Sequence, residues 1–309
     1  MHFGNDRAAH SLGAMKTAST YAVMGITGQV GGATAQALLK AGHNIRGIVR
    51  DKGRAAKWES AGVKLVLGDY SNVEALTAAF RGVDGAFVML PADFAPSRGY
   101  PGGRAKSLAL RAALTAAMPP KVVALSSIGA QRGTGLGLIT NLQILEEVFA
   151  PLPMPATFLR PGWFMENAVW DVDPAIKTGT IASFLQPLDK AIPMVATSDV
   201  GRVAAESLQE MWSGRRIVEL EGPRRYSPND IAEAFSIALG RRIAVAPVPR
   251  DGWESFFQGQ GTPDPAPRIE MLDGFNSDWI SFQGSPAIHL TGGISLQSVI
   301  QTLIDPQRA

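Results

Sequence analysis

Residues Tyr21 to Gly32 read Tyr-Ala-Val-Met-Gly-Ile-Thr-Gly-Gln-Val-Gly-Gly, a short apolar run that breaks into a glycine cluster. The run predicts a strand, and Val30, Ala33, Ala37, Leu38 and Ala41 recur at helical spacing immediately afterwards, with Gly42 as the stop. Gly25, Gly28 and Gly31 then occupy a strand-to-helix turn. Gly25 permits a tight reversal, Gly28 lets a backbone approach a pyrophosphate, and Gly31 and Gly32 let the helix pack close to the strand. Amides at the helix start point at the phosphates with the helix dipole behind them. An empty glycine-rich turn would carry similar glycines, but the flanking strand and helix favour a dinucleotide site.

The next predicted strand, Asn44 to Val49, ends at Arg50 and Asp51, with Lys52 and Arg54 close behind. An acidic residue here accepts hydrogen bonds from the ribose hydroxyls of NAD, whereas an arginine pairs with the 2′-phosphate of NADP. Arg50 favours NADP(H) over NAD(H), and Asp51 is the competing feature. The alternation continues with helix at 54–60, strand at 63–67, helix at 72–80 (Ser71 as cap), strand at 85–90, helix within 103–117, strand at 121–125, helix at 141–149 and strand at 156–159. Repeated strand–helix units with short connections predict parallel strands joined by right-handed crossovers, an α/β doubly wound sheet. Beyond Pro161 the texture changes to aromatics and prolines. The predicted division is an N-terminal extension over 1–17, a nucleotide-binding domain over 18–160, and a smaller, mainly helical lobe over 161–309, with a strand near 216–220 returning to the sheet.

Composition excludes much else. The 309 residues are 46% hydrophobic and 18% charged with a net charge of +2, ample for a core and too balanced for binding nucleic acid through a basic surface. No cysteine is present, which removes thiolate nucleophiles and thiolate metal sites, and four histidines give no recognisable metal motif. No run of 18 apolar residues occurs, so no spanning helix is expected. The expectations are a cytoplasmic protein, monomer or homodimer, acting on a small-molecule acceptor without nucleic-acid, membrane or metal partners.

YAVMGITGQVGG, GIVRD, GDYSN, GVDGAFVMLP and RPGWFMEN together resemble the NmrA-like branch of the atypical short-chain dehydrogenase/reductases, over nearly the whole chain from residue 20. Members are Rossmann-fold proteins that bind NAD(P)(H). Some are NADPH-dependent reductases of quinones, dyes or phenolic ethers, and others are regulators without demonstrated catalysis. The resemblance implies that the loop from Gly25 to Gly31, including Thr27, Gln29 and Val30, holds the pyrophosphate, and that Arg50 takes the adenosine end. It puts Asp69 and Tyr70 near the adenine, and Leu90 and Pro91 on the approach to the nicotinamide. Ser126 closes the fifth strand nearby, and Pro161 begins the wall carrying Trp163 and Phe164 toward the substrate.

The chain departs from a typical member of the wider superfamily. The usual Tyr-x-x-x-Lys pair places both side chains on one helix face, where lysine lowers the tyrosine's pKa for proton shuttling. Tyr21, Tyr70, Tyr100 and Tyr226 are followed four residues later by Gly25, Glu74, Arg104 and Asp230, so no such pair exists. The corresponding helix carries Leu138 and Leu142 instead. Two functions remain: a reductase delivering hydride to a quinone-like acceptor, with Asn141, Thr140 or Tyr100 bonding the acceptor oxygen, or a non-catalytic sensor of cofactor redox state. Asp199 reads as a helix cap.

Overall fold

A computed structural model describes residues 18–305; the N-terminal extension expected over 1–17 lies outside them. The nucleotide-binding half alternates as β1 (Thr20–Met24), α1 (Gln29–Lys40), β2 (Asn44–Val49), α2 (Ala56–Ser60), β3 (Lys64–Leu67), α3 (Val73–Phe80), β4 (Gly85–Val88), α4 (Pro101–Ala117), β5 (Val122–Leu125), α5 (Thr140–Phe149) and β6 (Ala156–Pro161). The rest comprises β7 (Trp163–Phe164), α6 (Val169–Thr178), β8 (Thr180–Ser183), β9 (Met194–Val195), α7 (Thr197–Gln209), β10 (Arg215–Glu221), α8 (Pro228–Leu239), β11 (Ala244–Pro247), α9 (Trp253–Gly259), α10 (Ala266–Asn276), β12 (Ile288–Thr291) and α11 (Leu296–Ile304).

Eight strands form one sheet in the order β12-β10-β6-β5-β4-β1-β2-β3, all parallel. The order reverses between β1 and β4, which opens a crevice above their carboxyl ends, where ligands bind in such sheets. Alternation along β1 supplies both faces of the sheet. Tyr21 and Val23 join the core under α1 and α7, while Ala22 and Met24 join the core under α3, α4 and α5. Helices α1 and α7 approach through small residues: a Cβ on Gly201 would lie 2.4 Å from that of Ala33. A third core, holding Phe235, Trp253, Phe257, Leu272 and Phe275, unites the C-terminal helices.

The returning strand is β10, and β12 beyond it was not foreseen, because all four of its residues are exposed and give no alternating pattern. Two caps differ from expectation. Asn72, not Ser71, caps α3 by accepting from the Ala75 amide at 2.9 Å; Ser71 is held by the Asp69 carboxylate, a stronger acceptor. Asp199 does not cap α7. The carboxylate of Glu166 does, accepting from the Thr197 amide, while Asp199 accepts from the Ile294 amide and pairs with Arg202.

Candidate functional site

Every predicted cofactor residue lies at or just past the carboxyl end of a sheet strand, or at the start of α1. Gly25 has φ +65°, and a Cβ there would lie 2.5 Å from the Met89 sulfur. A Cβ on Gly31 would lie 2.3 Å from the Gly25 carbonyl oxygen, which is backbone and cannot yield. The fold itself demands these two glycines. Gly28 differs: it is exposed, and the nearest obstacle to a Cβ is the same oxygen at 3.3 Å. Its glycine is better explained by a group that approaches from outside.

Gly28 is also the N-cap of α1, and no side chain caps that helix or puts an acid in its first turn. Thr27 and Gln29 beside it are exposed, while Val30 turns into the core. The uncapped amides and positive dipole end form a cradle that fits a pyrophosphate.

Arg50 projects from the end of β2, exposed, with no hydrogen bond or ion pair among the described residues. Its competitor is engaged: Asp51 Oδ1 accepts from the Gly53 amide at 2.8 Å, folding back into its own loop. Asp69, past the end of β3, accepts from both the amide and the hydroxyl of Ser71. These bonds, with weaker help from Arg50 and Lys106, hold its carboxyl below the usual range. Tyr70 donates its hydroxyl to the Met89 carbonyl at 2.6 Å, stitching β3 to β4, and burial pushes its pKa up. Leu90 is buried and Pro91 half-buried just beyond β4.

The β5–β6 side is built otherwise. Ser126, 2% exposed, donates its hydroxyl to Glu146 Oε1 on α5 at 2.5 Å. Arg160 of β6, 3% exposed, grips Glu146 through Nε to Oε1 at 2.8 Å and Nη2 to Oε2 at 2.5 Å. Arg160 Nη1 also donates to Gln283 Oε1 at 2.9 Å. On neighbouring β10, fully buried Glu219 accepts from the Gln283 and Gly284 amides. Ser126 therefore offers an outside ligand a lone pair and no proton. Neither Glu146 nor Arg160 was singled out from sequence, although a buried strand arginine demands a carboxylate partner.

Pro161 is buried at the end of β6, where its carbonyl accepts from the Ile128 amide. Trp163 and Phe164 part company beyond it. Trp163 packs edge-to-face on Phe275, 5.2 Å between ring centres, against the C-terminal core. Phe164 packs against the core beneath α1 and α7. Tyr100, Thr140 and Asn141 do gather, at the starts of α4 and α5. Burial raises the Tyr100 pKa, the Thr140 hydroxyl opposes the rise, and Glu270 and Asp264 add to it.

Comparisons with known proteins bear on the family and the fold. The NAD(P)H-binding family profile matches residues 25–211. The NAD(P)H azoreductase of Xenophilus azovorans is 27% identical over 249 residues, covering 78% of this chain and 82% of that protein. Quinone oxidoreductase 2 of Escherichia coli is 24% identical, covering 79% and 82%. Among solved structures, the NADPH complex of the E. coli NADPH-dependent quinone oxidoreductase superposes with a TM-score of 0.76 at 21% identity, covering 92% of this chain and all of that one. The Citrobacter triphenylmethane reductase gives 0.75 at 21% identity, covering 92% and 99%. No described helix is long and apolar enough to cross a membrane. The chain belongs to the NAD(P)H-binding family, and its Rossmann fold is shared with solved neighbours that include NmrA and the quinone and triphenylmethane reductases.

Proposed function

We propose that the protein is an NADPH-preferring reductase that passes hydride to a small, apolar, conjugated acceptor such as a quinone, without a Tyr–Lys proton relay. The observation that carries this reading is the contrast at β2: Arg50 exposed and unpaired, Asp51 tied back to Gly53. A free guanidinium there suits a 2′-phosphate, and the bare start of α1 suits the pyrophosphate. When bound, a reduced nicotinamide supplies the hydride. The residues of this chain hold it through the glycine loop and present Leu90, Pro91 and Pro161 along its path.

The acceptor class follows from the missing relay. Leu138 and Leu142 can neither give nor take a proton. An acceptor whose reduced anion is stabilised by resonance needs no positioned acid, because water can protonate it. Relatives named as quinone, azo and triphenylmethane reductases support this class of acceptor. In this reading Tyr100 and Asn141 orient the acceptor oxygen.

Calorimetry should find NADPH bound roughly 10- to 100-fold more tightly than NADH, since a charge-assisted hydrogen bond contributes about 1.5–3 kcal/mol. Arg50→Ala should abolish that margin. Equal affinities in the wild type would discard the assignment and promote Asp51 as a ribose ligand. A panel of quinones, enones and azo dyes, followed by NADPH absorbance, tests the chemistry. Tight cofactor binding without turnover of any of them would replace the reductase by a redox sensor.

A further inference from the structure

Lys106 stands on the second turn of α4, half-buried, with no hydrogen bond or ion pair among the described residues. Helical side chains tilt toward the start of their helix. This one folds back over the first turn: a Cβ on Gly102 would lie 3.6 Å from Nζ. That turn contains no acid and the dipole there is positive, so nothing in the helix favours an ammonium. The cation is unpaired and is held against the polarity of its own helix.

The neighbouring strand ends carry an acceptor. The Gly68 amide donates to the Val49 carbonyl at 3.0 Å, so Arg50 and Asp69 leave β2 and β3 side by side. Asp69 leads into α3, and α3 packs along α4. Lys106 therefore approaches the Asp69 carboxylate from the α4 side and Arg50 from the β2 side, and both cations help to hold that carboxyl below its usual range. Asp69 is half-buried; its Oδ1 is spent on Ser71, and its Oδ2 has no hydrogen-bond partner among the described residues. Tyr70 has already given its hydroxyl to the Met89 carbonyl. An acceptor, Asp69 Oδ2, and a donor, Lys106 Nζ, are thus left unspent between the end of β3 and α4.

We propose that Lys106 is a base-reading residue of the cofactor site: its ammonium donates to the adenine ring nitrogen N1, while Asp69 accepts from the 6-amino group beside it. This rests on the cofactor reading above, which puts the pyrophosphate at the start of α1 and the 2′-phosphate on Arg50. The base leaves the same ribose as that phosphate, and Asp69 and Lys106 follow Arg50 in the direction of α4. An acceptor beside a donor complements the Watson–Crick edge of adenine. Hypoxanthine reverses that edge, with an oxygen in place of the amine and a proton on N1. Ser71 holds Asp69 in place, so the two side chains cannot trade partners, and each meets a group of the wrong polarity.

Calorimetry with NADPH, NADH and the hypoxanthine analogue of each decides it, and needs no turnover. The wild type should bind NADPH about tenfold or more tightly than its hypoxanthine analogue. Lys106→Met should weaken NADPH and NADH by the same factor, about tenfold, and narrow the preference for adenine. The margin between NADPH and NADH should stay as it was. Lys106→Arg keeps a donor and should recover part of the loss. Both variants should keep the wild-type circular dichroism, since Lys106 bonds nothing in the fold; unfolding of both would overturn the proposal by making the side chain structural. A Lys106→Met protein that binds NADPH as the wild type does also overturns it. So does a loss confined to NADPH, which puts the ammonium on the 2′-phosphate, or an equal loss for adenine and hypoxanthine dinucleotides, which takes it off N1. The two ideas fail separately. Equal wild-type affinities for NADPH and NADH break the NADPH reading and leave the base contact standing, whereas a silent Lys106→Met does the reverse. A protein that binds none of these dinucleotides loses both.

Discussion

The two halves of the sheet's carboxyl edge treat polar groups in opposite ways. Around β1 and β2 they are exposed and unpaired: the bare start of α1, Thr27, Gln29 and Arg50. Around β5 and β6 they are satisfied by one another: buried Ser126 and Arg160 both hold the half-buried Glu146 carboxylate, and Arg160 reaches out to exposed Gln283. Unpaired groups in water cost little and wait for a ligand. Buried groups must be paired within the fold, so they fix shape. Under the proposed function, recognition of a charged cofactor falls to the first half, and the second braces the edge beside it.

The largest effect should come from breaking the buried half. Arg160→Met leaves the Glu146 carboxylate without its bidentate partner and should cost about 3–5 kcal/mol in denaturant unfolding. The double variant Arg160→Met/Glu146→Leu should recover more than half of that loss, because an apolar pair carries no stranded charge. A double variant as unstable as the single one would mean that the network does more than neutralise itself.

The exposed half should respond in binding and not in stability. Gly28→Val puts a branched side chain where the phosphates approach, and affinity for NADPH should fall roughly 100-fold or more, about 2.7 kcal/mol. Its circular dichroism should stay near wild type, since Gly28 is exposed with φ −98° and the Gly25 carbonyl, 3.3 Å from a Cβ there, needs to give by only a few tenths of an ångström. Gly31→Ala, against the backbone of Met24 and Gly25, should instead lose stability. Retained NADPH binding in folded Gly28→Val would remove the central assignment.

The exposed half was also the legible one. Its signals are short-range: apolar runs, glycine spacing and the residue after each strand can all be read locally, whereas in the other half only the strand positions were legible, β1 to β6 all lying within a few residues of expectation. What escaped was long-range or patternless. Arg160 and Glu146 stand 14 residues apart and look ordinary until β6 and α5 are packed together. Gln283 reaches them across 123 residues. Trp163 and Phe164, adjacent in sequence, serve different cores because β7 leaves the main sheet to pair with β9. Ser126 was legible as the end of a strand, but the partner of its hydroxyl was not.

Asp171 on α6 sharpens the comparison by belonging to neither half. It is half-buried with no hydrogen-bond or ion-pair partner among the described residues, and burial alone pushes its pKa from 3.8 to about 7. The folded state therefore holds a proton that the unfolded chain has lost between those two values. Stability falls as pH rises through this window and is level above it. Asp171→Asn should change little near pH 4 and stabilise the protein by on the order of 2 kcal/mol near pH 8. A gain that is equal at both pH values would deny the titration.

The smallest effect probes the boundary between the halves. Ser126 stands where the resemblance expects a nicotinamide contact, yet its proton is committed to Glu146, whose carboxylate keeps both Arg160 bonds without it. Ser126→Ala should therefore cost about 1 kcal/mol of stability, the ordinary worth of one hydrogen bond. Its affinity for NADPH should stay within about twofold of wild type, less than 0.5 kcal/mol. Paired measurements of unfolding and calorimetry decide it. A tenfold loss of cofactor affinity with stability unchanged would move Ser126 out of the supporting network and into the recognition surface. The clean division between an edge that binds and an edge that braces would then fail at β5.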